Sequence, residues 1–422
     1  MNCNEAIEYI HSLEKFGIKP GLERISALCA ALGNPQEKIK VIHVAGTNGK
    51  GSTSTVISNI LLRSGYNVGL YTSPYVTDFR ERIMFNGEMI AKDDLAFCVE
   101  KVKAAADSLE GIEITEFEFL TAVAFVYYEM MNCDFVVLEV GLGGRFDATN
   151  VISSPLVCVI ASISFDHINI LGDTIEKIAF EKCGIIKESA EVVSYMHQHS
   201  DAFAVISETC KEKSCNLTVP DCTELNVNKE SIEGTYASYG GIDFLLPLAG
   251  EHMVYNTCSA IEAVRAVERK GFDVKKSAYQ SGIEASVMPA RTELISKNPV
   301  ILLDGGHNEG CSLALATFLR KHLDGKKIVM VSSMMADKDY RTYLENVAPF
   351  ASTFIACKAD VPRALEAREL AAVASEYCKN ILCVEEPKNA VKTGKELLAD
   401  ADALVVCGSF YLAGEVRDIL RS

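Results

Sequence analysis

Residues 40–62 read KVIHVAGTNGKGSTSTVISNILL, and the fold is decided by this stretch. Val41, Ile42, Val44 and Ala45 form a short apolar run with the length of a buried strand. Gly46, Gly49 and Gly51 follow, and glycine permits a tight turn and close backbone approach. Ser52, Thr53 and Ser54 can cap a helix whose apolar face is Val56, Ile57, Ile60 and Leu61. Free backbone N–H groups at such a helix start bind phosphate, and Lys50 adds a point charge. Thr47, Asn48, Gly49, Lys50, Gly51 and Ser52 are therefore read as a nucleotide-phosphate cradle. The loop is not a strict Walker A. Val44 stands where that motif has its first glycine, and Gly51 separates Lys50 from Ser52. Which hydroxyl reaches a metal stays open at this point.

The chain around this loop has 422 residues, too many for one ordinary core, so two domains are expected. Hydrophobic residues make up 49% and charged residues 23%, the balance of a folded chain. A net charge of −16 argues against nucleic acid and anionic membrane as partners. Any anionic ligand must then be gathered by a local basic pocket. The 15 cysteines are scattered, and Cys98, Cys158 and Cys407 sit inside apolar patterns, as reduced thiols do in a cytosol. Cys210, Cys215 and Cys222 lack zinc-ligand spacing. No apolar run approaches the roughly 18 residues of a membrane span. The opening MNCNEAIEYIHSLEKFG is charged throughout and has no signal-peptide core. A cytoplasmic protein is expected. A monomer is expected as well, since no long apolar surface pattern demands a partner.

Before the loop, residues 1–38 read as two helices joined at Ile18-Lys19-Pro20-Gly21. After it come a short strand at 67–71, Thr72-Ser73-Pro74, and Asp78-Phe79-Arg80-Glu81-Arg82. Arg80 and Arg82 read equally well as contacts to an anionic substrate or as a solvated charge run. A helix at 93–108 leads to Thr115-Glu116-Phe117-Glu118, where Thr115 and Glu118 have capping-box spacing. The run 134–141 is apolar enough for a central parallel strand and carries Glu139 at its carboxyl end. Open α/β sheets bind ligands at that edge, and a carboxylate there commonly holds Mg²⁺. A glycine-rich loop, 141–150, carries Asp147 and suggests a second ligand contact. The strand at 156–163 ends in Ser164-Phe165-Asp166-His167, which puts His167 at the same edge as a candidate metal ligand.

A helix is read over 173–186, a strand at 191–195 and a helix near 201–213. Residues 216–250 suggest antiparallel strands at a sheet edge, and 251–270 a helix with Asn256 in its first turns. Strand–helix alternation then restarts, with Asp304, His307, Asp337, Lys338 and Ser409 at or just past strand ends. The expected fold is α/β: a P-loop-containing, doubly wound N-terminal domain (1–288), a linker (289–297) and a smaller Rossmann-like C-terminal domain (298–422). A nucleotide site between two domains suits a transfer reaction that excludes water on closure. A P-loop ATPase switch without ligase activity is the alternative reading.

The motifs GTNGKGS (46–52), TSP (72–74), LEVGLGGRFDATN (138–150), SFDH (164–167), EKCGI (181–185), DGGHN (304–308), DKD (337–339) and GSFYLAGE (408–415) span nearly the whole chain. In this order they resemble the folylpolyglutamate synthase/dihydrofolate synthase family of Mur-ligase-type, ATP-dependent amide ligases. The short region before the loop fits that family and leaves no room for the nucleotide-sugar domain of peptidoglycan-type relatives. The resemblance implies an ATP-dependent ligase joining a folate or dihydropteroate carboxylate to L-glutamate through an acyl phosphate. It also implies residue roles. Lys50 and its loop would hold ATP; Ser73, Glu139 and His167 would ligate Mg²⁺. Lys182 would be carbamylated and support a second ion. Asn256, Arg291 and Asp304 would contact ATP, and His307 and Ser409 would lie near the incoming glutamate. Thr115, Glu116, Phe117 and Glu118 would sit at the pterin pocket. Tyr75, where many members have His, and Cys183, where many have Ala, depart from the pattern. The Tyr75 departure bears on the folate pocket.

Overall fold

The computed structural model describes residues 1–17 and 19–421. Ile18, within the turn read before the second helix, lies outside the described residues.

The first domain is built on strands β1 (Val41–Ala45), β2 (Val68–Tyr71), β3 (Ile83–Phe85), β4 (Glu88–Met89), β5 (Phe135–Glu139), β6 (Val157–Ile160), β7 (Glu191–Ser194) and β8 (Asn216–Thr218). Among the described residues they form one eight-stranded sheet in the order β4-β3-β2-β5-β1-β6-β7-β8. All neighbours are parallel except at β3 and β4, which form an antiparallel edge. The β3–β4 hairpin turns at Asn86-Gly87, both in the left-handed region, a turn signal that the reading of the sequence missed. Strands β1 and β5 feed two cores. Ile42, Val44 and Val137 face one; Val41, Val136 and Leu138 face the other. A strand covered on both faces must be apolar throughout. Helices Lys50–Arg63, Glu251–Arg269 and Lys276–Glu284 cover one face; Cys3–His11, Glu23–Ala31, Lys92–Asp107 and Glu116–Met130 cover the other. The chain runs from β1 out to β2 on one side and, after β5, crosses to β6 on the other. The carboxyl ends of β1, β5 and β6 therefore open at a topological switch point, where ligands bind.

Three expectations change. The antiparallel strands β9 (Leu225–Ser231), β10 (Gly234–Tyr239) and β11 (Ile242–Leu246) make a separate sheet and do not extend the edge of the first. Ile242, Phe244 and Leu246 are buried while Asp243 and Leu245 are exposed, so one face packs on the helices and the other meets water. The helix read over 173–186 spans Ile175–Lys182 and tightens into a 3₁₀ turn, Cys183–Ile185. A side chain at Gly184 would meet the Arg145 Cα at 2.3 Å, so the glycine-rich loop packs where the helix would continue. The linker read at 289–297 also ends early, because Glu293–Lys297 is strand β12, paired antiparallel to β13 (Val300–Asp304). Arg417 and Arg421 of the terminal helix hold the Glu293 carboxylate at 2.9 and 2.8 Å and pin that strand.

The second sheet adds β14 (Ile328–Ser332), β15 (Ala351–Ala356), β16 (Ile381–Cys383) and β17 (Ala403–Cys407), in the order β12-β13-β17-β14-β15-β16. Its strands are parallel apart from β12, and both faces are covered. The carboxyl ends of the two sheets meet across a cleft. Lys338 Nζ lies 2.9 Å from Asp166 Oδ1, and Asn308 Nδ2 donates to Asn48 Oδ1 at 3.0 Å. On the far side Glu230 of β9 holds Lys321 at 2.6 Å and His322 at 2.9 Å. All fifteen cysteines are free thiols, Cys210, Cys215 and Cys222 included. Among the described residues no helix is long and apolar enough to cross a membrane.

Candidate active site

The phosphate loop owes its shape to glycine at Gly49, while Gly51 lies in contact with Glu139. Gly49 has φ +82°, and a side chain there would stand 2.4 Å from Asn256 Oδ1. A side chain at Gly51 would stand 3.4 Å from Glu139 Oε2. Asn256 Nδ2 donates to Ser52 Oγ at 2.9 Å, and Ser52 Oγ donates to Gly49 O at 3.0 Å. The Ser52 hydroxyl is thus engaged inside the loop. Lys50 curls back to donate to Thr47 O at 3.2 Å.

Glu139 closes β5 under this loop and is 2% exposed. Among the described residues its carboxylate has no ion pair within 4 Å and one hydrogen bond, from Ser73 N at 3.1 Å. Burial pushes its pKa up, against the pull of Lys50 and the Ser73 N–H. A buried carboxylate without a cation, lining one cavity with Ser73 and His167, is a donor type that fits a divalent ion. His167 has φ +50°, and burial pushes its ring pKa down while Asp166, 3.8 Å away, pulls it up. For Asp166 burial is outweighed by His167, Lys338 and His307, which hold its carboxyl well below the usual range. Lys182 is 3% exposed and donates to Gly46 O at 2.9 Å, directly beneath the loop. Burial, then the nearby Lys50 charge, lowers its pKa to about 7.

The opposing wall comes from the second domain. Ala290 and Thr292 both have positive φ, at 55° and 46°, and Arg291 between them lies over the Phe410 ring at 4.4 Å. Asp304 holds this turn. It accepts from Thr292 N at 2.8 Å, Thr292 Oγ1 at 3.1 Å and Gly306 N at 2.8 Å. Burial, then Lys338, pushes the His307 pKa down to about 4.

Between the walls lies a cavity of about 680 Å³. From the first domain it is lined by Thr47 through Gly51, Ser73, Arg82, Glu139, Asp147 and His167, and by Thr115, Phe117 and Glu118. Arg291 and His307 line it from the second. A smaller cavity of about 150 Å³ lies behind the loop and collects Asn48, Gly49, Ser52, Asn256, Arg291 and Asp304. Four predicted residues line neither. Lys182 sits beneath the loop. Arg80 is turned onto Asp78, at 2.8 Å, because the turn Phe79–Arg82 points the two arginines apart. Glu116 pairs with His11 at 3.2 Å, on a different face of its helix from Phe117. The Ser409 hydroxyl caps the last helix, accepting from Tyr411 N and Leu412 N at 3.1 Å each. Asp147 also works within its own loop, accepting from Thr149 and from Leu142 N.

The reading of the sequence left Asp166 and Asn308 out of the site and named Lys338 only as a polar strand end, although SFDH, DGGHN and DKD contain them. It also missed Arg24, whose guanidinium holds Glu118 at 2.9 Å at the cavity rim, and nothing in the local sequence points to that pair.

Residues 44–264 match the Mur ligase middle domain, and residues 290–410 match the Mur ligase glutamate ligase domain. The chain is 36% identical to the dihydrofolate synthase/folylpolyglutamate synthase of Bacillus subtilis, over 99% of both chains. It is 35% identical to the folylpolyglutamate synthase of Lacticaseibacillus casei, over 100% of this chain and 99% of that one. Among solved structures, the folylpolyglutamate synthase of Mycobacterium tuberculosis complexed with ADP and AMPPCP superposes with a TM-score of 0.90 at 30% identity, over 99% of both chains. A nucleotide switch without ligase activity finds no support in these likenesses. The chain belongs to the folylpolyglutamate synthase/dihydrofolate synthase family of ATP-dependent Mur-type ligases.

Proposed function

We propose that this ligase activates a carboxylate of a folate or of dihydropteroate with ATP and joins it to the amine of L-glutamate. One observation carries the reading. A phosphate loop with its lysine and a buried carboxylate lacking a cation share one cleft, with a buried amine directly beneath the loop and the strand ends of a second domain as the roof. A carboxylate is a poor electrophile. Transfer of the γ-phosphoryl group of ATP to one of its oxygens gives an acyl phosphate. The glutamate amine then attacks the carbonyl carbon, and the tetrahedral adduct expels phosphate to leave the amide. Acyl phosphates hydrolyse readily, so a cleft that closes between domains protects the intermediate.

The loop N–H groups and Lys50 hold the triphosphate and stabilise charge on the transferring group. Asn256 acts through Ser52, and Asp304 acts through the turn that carries Arg291. Ser73, Glu139 and His167 would hold Mg²⁺, which when bound neutralises phosphate charge. Lys182 has the lowered pKa that lets a neutral amine add CO₂ and release a proton, and the carbamate so formed would support a second ion. His307 stays neutral at working pH and adds no repulsion for the ammonium of glutamate; Ser409 shapes the backbone beside it. Thr115, Phe117 and Glu118 present an aromatic face and polar edge to a pterin ring. The test is ATP-dependent incorporation of labelled glutamate, offered dihydropteroate and tetrahydrofolate separately. Incorporation into at least one is expected, and none into either overturns the reading.

A further inference from the structure

Arg82 is a cation in the cavity wall with no anion of its own. Among the described residues its side chain has no ion pair and no hydrogen-bond acceptor, and its Nε is buried without a partner. Glu139 in the same cavity feels the Arg82 charge without pairing with it, and three other nearby carboxylates are already taken. Asp78 holds Arg80 at 2.8 Å, and Glu81 accepts from the backbone of Val76, Thr77 and Asp78 at 2.7, 3.1 and 3.0 Å. Glu118, across the rim, holds Arg24. What fixes Arg82 instead is aromatic. Its guanidinium lies 5.3 Å from the Tyr75 ring centroid and 5.7 Å from that of Phe79. Such faces orient a guanidinium while leaving its N–H donors free. An unpaired, oriented fork of donors facing a cavity is built for a planar anion.

Resting on the ligase reading above, we infer that Arg82 receives the second carboxylate of a glutamate-terminated acceptor, the one that is not activated. The reacting carboxylate has to present a free oxygen lone pair to the γ-phosphoryl group at Lys50, and a bidentate arginine would occupy those lone pairs. In a terminal glutamyl group the second carboxylate stands three carbons away. Arg82 reaches the cavity from the turn Phe79–Arg82 and lines it together with Thr115 and Phe117. Dihydropteroate has a single carboxylate and makes no use of Arg82. The residue therefore sets the preference between the two acceptor classes.

The test compares tetrahydrofolate with an analogue in which γ-aminobutyrate replaces glutamate, so that only the α-carboxylate is missing. The wild-type enzyme is expected to favour tetrahydrofolate in kcat/KM by on the order of 10- to 100-fold, the worth of a charge-assisted contact. Arg82→Gln is expected to abolish that preference, lowering kcat/KM for tetrahydrofolate by that factor more than for the analogue, with binding of AMPPCP retained. Arg82→Lys keeps the charge without the fork and restores part of the preference; it carries the same readout if Arg82→Gln does not fold. An equal fall for both acceptors, or a wild-type enzyme that does not distinguish them, overturns the inference. A wild-type enzyme that adds glutamate to no acceptor overturns the ligase reading instead.

Discussion

The two walls of the cleft use polar residues in opposite ways. In the first domain three charged groups facing the cavity are left short of polar side-chain partners. Among the described residues the Glu139 carboxylate has a single hydrogen bond, from a backbone N–H, the Lys50 ammonium donates to a carbonyl of its own loop, and the Arg82 guanidinium has no hydrogen-bond acceptor. In the second domain the conspicuous polar residues are spent on the protein. Asp304 accepts three hydrogen bonds, Ser409 caps a helix, and Asn308 joins its own helix start to the other domain. Unmet bonding capacity marks a surface made to bind, because a buried polar group left alone is costly unless a ligand completes it. Full satisfaction marks a surface made to position.

The largest test of this contrast is Lys50→Ala. Removing the loop cation should lower ATP-dependent glutamate incorporation by about 10³-fold or more, the scale of losing charge stabilisation in phosphoryl transfer. Its thermal midpoint should not move, since Lys50 supports no part of the fold beyond its own loop. Activity near the wild-type level would break the assignment of the first wall. Asp304→Ala should behave differently. Three satisfied donors lose their acceptor, so unfolding in urea should show a loss of about 2–3 kcal/mol. The turn with two non-glycine residues at positive φ should relax, and Arg291 with it, lowering kcat/KM by about 100-fold. A loss of activity with no loss of stability would mean that Asp304 binds ligand directly and that the walls are not so different.

The contrast also explains what could be read from the sequence. The loop at 46–52 was legible because its requirements are local: glycines where the backbone must approach, hydroxyls at a helix start, a lysine between them. Glu139 was legible because it ends an unbroken apolar run. The capping box of Thr115 and Glu118 forms as its spacing implies. Contacts far apart in sequence were not legible: Arg24 meets Glu118 across 94 positions, and Lys338 meets Asp166 across 172. Arg80 and Arg82 have the same local chemistry, and only the turn that carries them decides which one faces the cavity. The turn at Ala290 and Thr292 gave no signal, because neither residue is a glycine although both adopt positive φ. The second wall was therefore visible mainly as family motifs, without the roles its residues play.

A smaller effect is expected where the walls touch. Lys338→Met removes the 2.9 Å contact to Asp166 but leaves that carboxylate near Asn308 Nδ2, at 3.4 Å, and His167, at 3.8 Å. The first wall keeps its ligand-facing groups and the second keeps its internal bonds, so only closure suffers. A fall of about tenfold in kcat/KM is expected, together with a larger radius of gyration by small-angle scattering in the absence of nucleotide. A variant that turns over normally but scatters as an open molecule would show that nucleotide closes the cleft without this pair.

The smallest effect lies beneath the first wall. His43 sits in β1, fully buried, with Nε2 2.9 Å from Thr149 Oγ1. The Thr149 hydroxyl has one proton, and Asp147 Oδ1 at 2.6 Å takes it. His43 therefore donates from Nε2, and its buried Nδ1 has no partner among the described residues. Burial, then Lys187, lowers its pKa to about 3, against about 6.5 in the unfolded chain. Between these values the unfolded chain binds a proton that the native chain refuses, so stability falls as pH drops through that window. This one group should remove about 2 kcal/mol by pH 5. Urea unfolding from pH 7.5 to 5 should show a steeper decline for the wild-type chain than for His43→Asn. Acid thereby loosens the Asp147–Thr149 support of the first wall, while the Asp304 turn opposite has no buried histidine among its hydrogen-bond partners. Parallel pH curves for the two proteins would mean that His43 finds a partner for Nδ1 when protonated, and that the first wall is better satisfied than its geometry implies.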